Sequence, residues 1–271
     1  MSVNVSTAFE KARSDGRAAL LGYLPAGFPT VAGGIEGVTA LAEAGVDLIE
    51  VGFPYSDPVM DGPVIQRASE VALAGGVKAR DVLATVSAAA ATGVPVLVMT
   101  YWNLIERYGV DAFARDLGAA GGAGLITPDL IPEEAEAWLE ASDRHDLDRV
   151  FLVAPSSTDE RIARTVAACR GFVYATSVMG VTGARDKTSA AAPALVARVR
   201  AVAGGLPVGV GLGVRDGAQA AEVGSYADAV IVGSAMVRCL LDATDLDAGL
   251  TALRELTTDL AAGVRSGARG A

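Results

Sequence analysis

Short runs rich in Val, Ile and Leu recur along the chain, separated by stretches with helical periodicity. Eight of these runs read as strands: 19–24, 47–52, 95–101, 123–127, 149–153, 172–176, 207–211 and 228–232. They are nearly continuous in apolar character rather than alternating, which fits a parallel sheet covered on both faces. The segments between them carry helix signals. Thr30 precedes VAGGIEGVTALAEA, and Gly45 stops it. Asp81 precedes VLATVSAAAATG, Pro132-Glu133-Glu134 reads as the first turn of a helix, and Asp159-Glu160 opens another. Eight strand–helix units of this regularity predict a closed (β/α)8 barrel more readily than an open doubly wound sheet. No linker or low-complexity tract divides the chain, so residues 1–271 are expected to form one barrel domain.

One uncharged stretch, from Val82 to Ile105, is long enough to cross a bilayer, but Gly93-Val94-Pro95 breaks it. It reads as a helix end, a turn and a buried strand. Hydrophobic residues make up 51% of the chain and aromatics only 5%, so Ala, Val, Leu and Gly must do most of the packing. The net charge of −10 disfavours nucleic acid and anionic membrane surfaces as partners. An anionic substrate would need local help from backbone amides or an Arg. The N-terminus has no apolar run of the kind a secretory leader needs, and Cys169 and Cys239 are far apart with no metal-ligand spacing. Both features predict a cytoplasmic protein.

The inventory also narrows the chemistry. The one histidine, His145, lies among Arg144, Asp146, Asp148 and Arg149 and reads as a solvated helix end. A Ser-His-Asp triad or a His-based zinc site is therefore not expected. None of the three lysines, Lys11, Lys78 and Lys187, lies in an apolar run that would desolvate it for imine chemistry. Acid–base work then falls to carboxylates and tyrosines.

In a barrel, function sits on the loops at the carboxyl ends of the strands. Alternation along Leu48-Ile49-Glu50-Val51 aims Glu50 into the interior near that end. Burial would raise its pKa into the range useful for giving and taking protons. The alternative is a structural Glu paired with an Arg. Asp57 and Asp61, in the loop that follows, read equally as turn formers or site residues, and so does Asp129 after the fourth strand. Glycine-rich segments follow strands six, seven and eight: Gly180 to Gly183, Gly209 to Gly213, and Gly233-Ser234. Such turns let backbone amides close on a phosphate, as barrels often do after strands seven and eight. Ser177 to Ala192 is longer than most strand-to-helix loops and suggests a lid.

The run Glu50-Val51-Gly52-Phe53-Pro54-Tyr55-Ser56-Asp57-Pro58, with Asp61-Gly62-Pro63-Val64-Ile65-Gln66, resembles the signature of tryptophan synthase α subunits. The resemblance continues through Met99 to Asn103, Tyr174, Gly180 to Gly183, Gly211 to Gly213 and Gly233-Ser234, nearly the whole chain. It implies a (β/α)8 barrel with an extra N-terminal helix, here near Val5 to Arg13. It implies cleavage of indole-3-glycerol phosphate to indole and glyceraldehyde 3-phosphate. An αββα complex with a β subunit that carries pyridoxal phosphate is implied as well, with no cofactor or metal in this chain. By motif position Glu50 and Asp61 resemble the catalytic pair. Tyr174, with Tyr23, Tyr101 and Ile65, resembles the indole site. Gly183, Gly213, Gly233 and Ser234 resemble the phosphate binders, and Thr182 the mobile-loop residue that touches the catalytic Asp. One departure is Ser177-Val178-Met179, where the family commonly has a basic residue before Gly-Val-Thr-Gly. Two other readings are an allosteric partner that mainly activates a β subunit, and another phosphate-binding barrel acting on a sugar phosphate.

Overall fold

The computed structural model describes residues 4–176, 191–211 and 213–267. Its parallel strands are β1 (Ala19–Pro25), β2 (Leu48–Gly52), β3 (Val96–Met99), β4 (Gly124–Ile126), β5 (Asp148–Val150), β6 (Leu152–Val153), β7 (Val173–Thr176), β8 (Val208–Gly211) and β9 (Ala229–Val232). Every run expected as a strand overlaps one, and the fifth overlaps two. The hydrogen-bonded order is β5-β4-β3-β2-β1-β9-β8-β7-β6. Phe151 alone separates β5 from β6. The first pairs with β4 and the second with β7, so one barrel strand changes neighbour halfway and closes the ring. The Phe151 carbonyl accepts the Tyr174 amide at 3.2 Å, which carries the ladder across the break. The eight-stranded barrel is therefore present, with its fifth strand interrupted.

The helices cover the outside: α1 (Val5–Ser14), α2 (Val31–Ala44), α3 (Pro63–Ala74), α4 (Ala79–Ala90), α5 (Trp102–Tyr108), α6 (Val110–Ala119), α7 (Glu136–Arg144), α8 (Asp159–Ala168), α9 (Ala191–Arg200), α10 (Gly217–Gly224), α11 (Ser234–Leu241) and α12 (Leu246–Ser266). Thr30 caps α2 by accepting the Gly33 amide at 3.0 Å, and Gly45 ends the helix at φ 102°, both as expected. Two expected boundaries move. Asp81 is not the residue before α4 but its third, where its carboxylate accepts the Lys78 amide at 2.8 Å. Pro132–Glu134 forms a separate 3-10 turn, and α7 begins beyond it at Glu136. The uncharged stretch from Val82 to Ile105 resolves into the end of α4, a turn, β3 and the start of α5. No helix among the described residues is long and apolar enough to cross a membrane.

Alternation along the strands produces two cores. Ile49, Val51, Val98, Leu125 and Val230 face outward and pack with the helices. Leu21, Leu48, Leu97, Ile126, Val150, Phe172 and Ile231 fill the barrel interior. Leu48, Leu97 and Phe172 stand at the amino ends of their strands, and α1 seals that end with Val5, Ala8, Phe9 and Ala12. Phe9 meets Phe172 with ring centroids 5.6 Å apart. Close by, the buried Arg17 guanidinium makes a two-pronged contact with Asp47 at 2.7 and 2.8 Å. Asp47 also accepts the Leu20 amide at 2.8 Å, so this pair fixes the entry into both β1 and β2. With the amino end closed, the carboxyl end is left as the mouth.

Candidate active site at the barrel mouth

Glu50 lies on β2 with Tyr23 of β1 on one side in register and Leu97 of β3 on the other. It is two residues beyond the interior Leu48 and so shares its inward face. The side chain is 2% exposed, and its Oε2 has no hydrogen-bond partner among the described residues. An ionised carboxylate is strongly disfavoured in such a place. Burial, and then the charge of Asp61, push the Glu50 pKa from 4.5 up to about 8. The Arg-paired structural role is not what the geometry shows.

Asp61 stands at the end of the loop after β2, just before Gly62 and Pro63 open α3. It is 9% exposed and accepts the Tyr101 hydroxyl at Oδ1, 3.1 Å away. Burial raises its pKa, and the hydrogen bond from Tyr101 opposes that rise. The Gln66 amide group donates to the Asp61 carbonyl at 2.8 Å and holds the loop against the first turn of α3. Asp57, by contrast, is an exposed turn residue taking the Ser56 hydroxyl at 2.6 Å. Asp129 accepts the Trp102 amide at 3.0 and 3.2 Å, which makes it a cap for α5.

Three tyrosines surround the carboxylates. The phenols of Tyr23 and Tyr174 are both driven well above their usual pKa by burial. Asp61 and Glu50 add to this at Tyr23, and Glu50 adds to it at Tyr174. The structure thus brings Glu50, Asp61, Tyr23, Tyr101 and Tyr174 into one electrostatic cluster. Gly52 is what admits Tyr23, because a Cβ there would collide with the tyrosine ring and hydroxyl. Gly211 makes the same allowance for Tyr174. Ile65 is buried on α3, and its Cδ1 and the Tyr23 ring both lie within 3.7 Å of where a Cβ on Gly233 would stand. That contact joins the aromatic wall to the glycine turns.

Gly233 caps α11, and the buried Ser234 is the first residue of that helix. Gly213, after β8, has φ 71°, a left-handed conformation that a side chain would strain. A helix N-terminus flanked by such turns is suited to an anion. Thr182, Gly183, Ser177-Val178-Met179 and the expected lid as far as residue 190 lie outside the described residues, and the last two residues of that stretch, Ala191 and Ala192, open α9. Two residues that sequence reasoning did not assign to the site are Met99 and Leu152, which are partly buried against the interior core, Leu152 opposite Tyr174 in register. Extending the alternation by one step, from Leu97 to Met99 and from Val150 to Leu152, would have found them.

Other features carry no chemistry. His145 ends α7, and its Nε2 lies 3.0 Å from the Asp111 carboxylate, a solvated helix end as expected. No group of three or more His, Cys, Asp or Glu suited to a metal occurs among the described residues. A hollow of about 720 Å³ opens at the sealed end of the barrel, away from the carboxylates. Its Arg170 is already paired with Asp146 at 2.7 Å and Asp148 at 3.4 Å.

Fold and site together define a (β/α)8-barrel enzyme with two carboxylates and a ring of tyrosines at its mouth, beside glycine turns suited to a phosphate. Residues 9–265 match the family model described as tryptophan synthase alpha chain. The tryptophan synthase alpha chain of Salinispora arenicola is 69% identical, over 97% of this chain and 98% of its own. That of Thermobifida fusca is 63% identical, over 96% and 97%. Among solved structures, one of Mycobacterium tuberculosis tryptophan synthase superposes with a TM-score of 0.92 at 62% identity, covering 97% of this chain and 98% of its own. The subunit alpha from Legionella pneumophila does so at 0.85 and 32% identity, covering 97% and 98%. The chain belongs to the tryptophan synthase alpha chain family and is a lyase that cleaves indole-3-glycerol phosphate to indole in tryptophan biosynthesis.

Proposed function

We propose that Glu50 is the acid and the base of this cleavage and that Asp61 is its ionised partner. The C3–C3′ bond breaks in a retro-aldol step. Protonated Glu50 delivers its proton to C3 of the indole, and the resulting carboxylate takes the proton of the C3′ hydroxyl as the aldehyde of glyceraldehyde 3-phosphate forms. Glu50 ends the cycle protonated, so the proton count closes. Asp61 stays charged beside the indole N–H and stabilises the positive charge that develops on the ring. The observation that carries this reading is a buried Glu50, with a pKa near 8, facing the charge of Asp61. Such a carboxyl is protonated at neutral pH yet close enough to its pKa to give the proton up.

The rings of Tyr23, Tyr101 and Tyr174, with Ile65, wall the indole in this reading. Gly213, Gly233 and Ser234 hold the phosphate at the start of α11. By resemblance Gly183 joins them and Thr182 closes over Asp61. No cofactor or metal enters the step. Residues 1–271 act as one domain in the cytoplasm and assemble with a β subunit as αββα. The partner carries pyridoxal phosphate and receives the indole.

The test is indole release from indole-3-glycerol phosphate by the purified chain, with and without a cognate β subunit. Release should rise strongly with the partner, and Glu50→Gln should abolish it while the chain stays folded. Substantial turnover by that variant would remove Glu50 from the mechanism.

A further inference from the structure

Tyr101 holds two consecutive residues of the loop after β2 with one oxygen. Its hydroxyl donates to Asp61 Oδ1 at 3.1 Å and accepts the Met60 amide at 3.0 Å. Tyr101 is the N-cap of α5, and its hydroxyl, at the far end of a rigid ring, makes no side-chain bond to that helix. The short side chains that usually cap a helix, Ser, Thr, Asp and Asn, are absent at this position. Here Asp129, from the loop after β4, takes the Trp102 amide instead, with oxygens at 3.0 and 3.2 Å. The cap comes from a neighbouring loop, and the Tyr101 side chain crosses to the loop after β2. Its ring packs on Tyr55 with centroids 5.1 Å apart, and the Tyr55 hydroxyl accepts Asn103 Nδ2 at 3.2 Å. Three successive loops of the mouth are tied together at this point.

We propose that Tyr101 is a positioning residue for Asp61, and that Asp129 seats Tyr101 by capping α5 from outside. The inference rests on the reading of Asp61 as the charged partner of Glu50. A carboxylate can turn about its last bond, and a donor on one oxygen fixes it while leaving the other for the substrate. The same donor favours the charged form against the burial that works toward neutrality. Among the described residues Glu50, Tyr23 and Tyr101 face Asp61. The charge of Asp61 acts on the first two through space, whereas Tyr101 acts on Asp61 through a hydrogen bond.

The experiment is the pH profile of indole-3-glycerol phosphate cleavage by the full chain carrying Tyr101→Phe, Asp129→Ala or Asp129→Asn, beside wild type and Asp61→Asn. In Tyr101→Phe, kcat should fall about 10- to 100-fold. The acid limb of the profile should move to higher pH, because the bond that lowers the Asp61 pKa is gone. Asp129→Ala should shift the limb the same way, and Asp129→Asn, which keeps one accepting oxygen, should restore much of it. If Tyr101→Phe does not fold, the Asp129 pair carries the test alone. A fall in kcat with the acid limb unmoved, or a rise in KM alone, would overturn the proposal. An inactive Asp61→Asn beside an unaffected Tyr101→Phe overturns the positioning role only. A fully active Asp61→Asn overturns the reading of Asp61 beneath it.

Discussion

Replacing Glu50 by Gln should silence the enzyme and, at neutral pH and above, relieve a stability cost that wild type bears. In the unfolded chain the carboxyl titrates near 4.5, whereas in the folded chain it titrates at about 8. The folded state therefore binds the proton more tightly. Its contribution is complete below about pH 4.5, falls by about 1.4 kcal/mol per pH unit above that, and levels off beyond about pH 8. The gap of about 3.5 units corresponds to about 5 kcal/mol in full, of which about 3 kcal/mol is already lost at pH 7. Gln cannot ionise and escapes this decline. Other titrating groups are common to both proteins, so the difference between their urea-unfolding free energies isolates position 50. That difference should grow in favour of Glu50→Gln by about 4 kcal/mol between about pH 5 and pH 9. Its absolute offset depends on how the amide is accommodated where Oε2 has no partner, so the slope is the quantity to read. A difference that stays flat across this range would mean that Glu50 is ionised in the native barrel at neutral pH. The acid role assigned to it would then fail.

Three further outcomes follow from the packing. Phe9→Ala should cost about 3–5 kcal/mol in chemical unfolding, because it opens the seal of the interior core, yet leave kcat per folded molecule unchanged. Gly52→Ala should lower the melting temperature and kcat together, since the new methyl group displaces Tyr23, at a cost of about 1–3 kcal/mol. A second change of Tyr23 to Val should return the stability but not the activity. Asp47→Ala leaves the buried Arg17 guanidinium with Asp15, at 3.3 Å, as its remaining carboxylate partner and should cost about 3 kcal/mol, and a loss under about 1 kcal/mol in urea unfolding would contradict the role given to the Arg17–Asp47 pair.

The barrel was legible because its strands are uniform apolar runs and buried parallel strands have to look that way. The break at Phe151 was not, since the run from Arg149 to Val153 is apolar throughout its middle and the interruption arises from a change of hydrogen-bonding neighbour. The helix start misplaced at Asp81 has a local cause. An acidic residue serves both at the cap and in the third position, and sequence shows the residue type without the bond it makes. Glu50 could be found by alternation from Leu48. The roles of Asp57, Asp61 and Asp129 could not be separated, because all three sit in turn-like sequence. What distinguishes them is burial and a partner forty residues away in one case, and a borrowed helix end in another. Side-chain contacts across loops leave no periodic trace in the chain.

The closure of the ring has a consequence for how the molecule is made. β1 takes β9 as a neighbour, with Ala19 opposite Ala229. The amino-terminal strand leaves the ribosome long before the strand that covers its other edge. At elongation rates of about 5–20 residues per second, the delay is on the order of 10–40 seconds. Through that interval a highly apolar edge stands ready to pair with any neighbouring chain. Newborn copies of this protein should therefore depend on chaperones most during the second half of synthesis, and should be least forgiving of crowding among ribosomes on the same message.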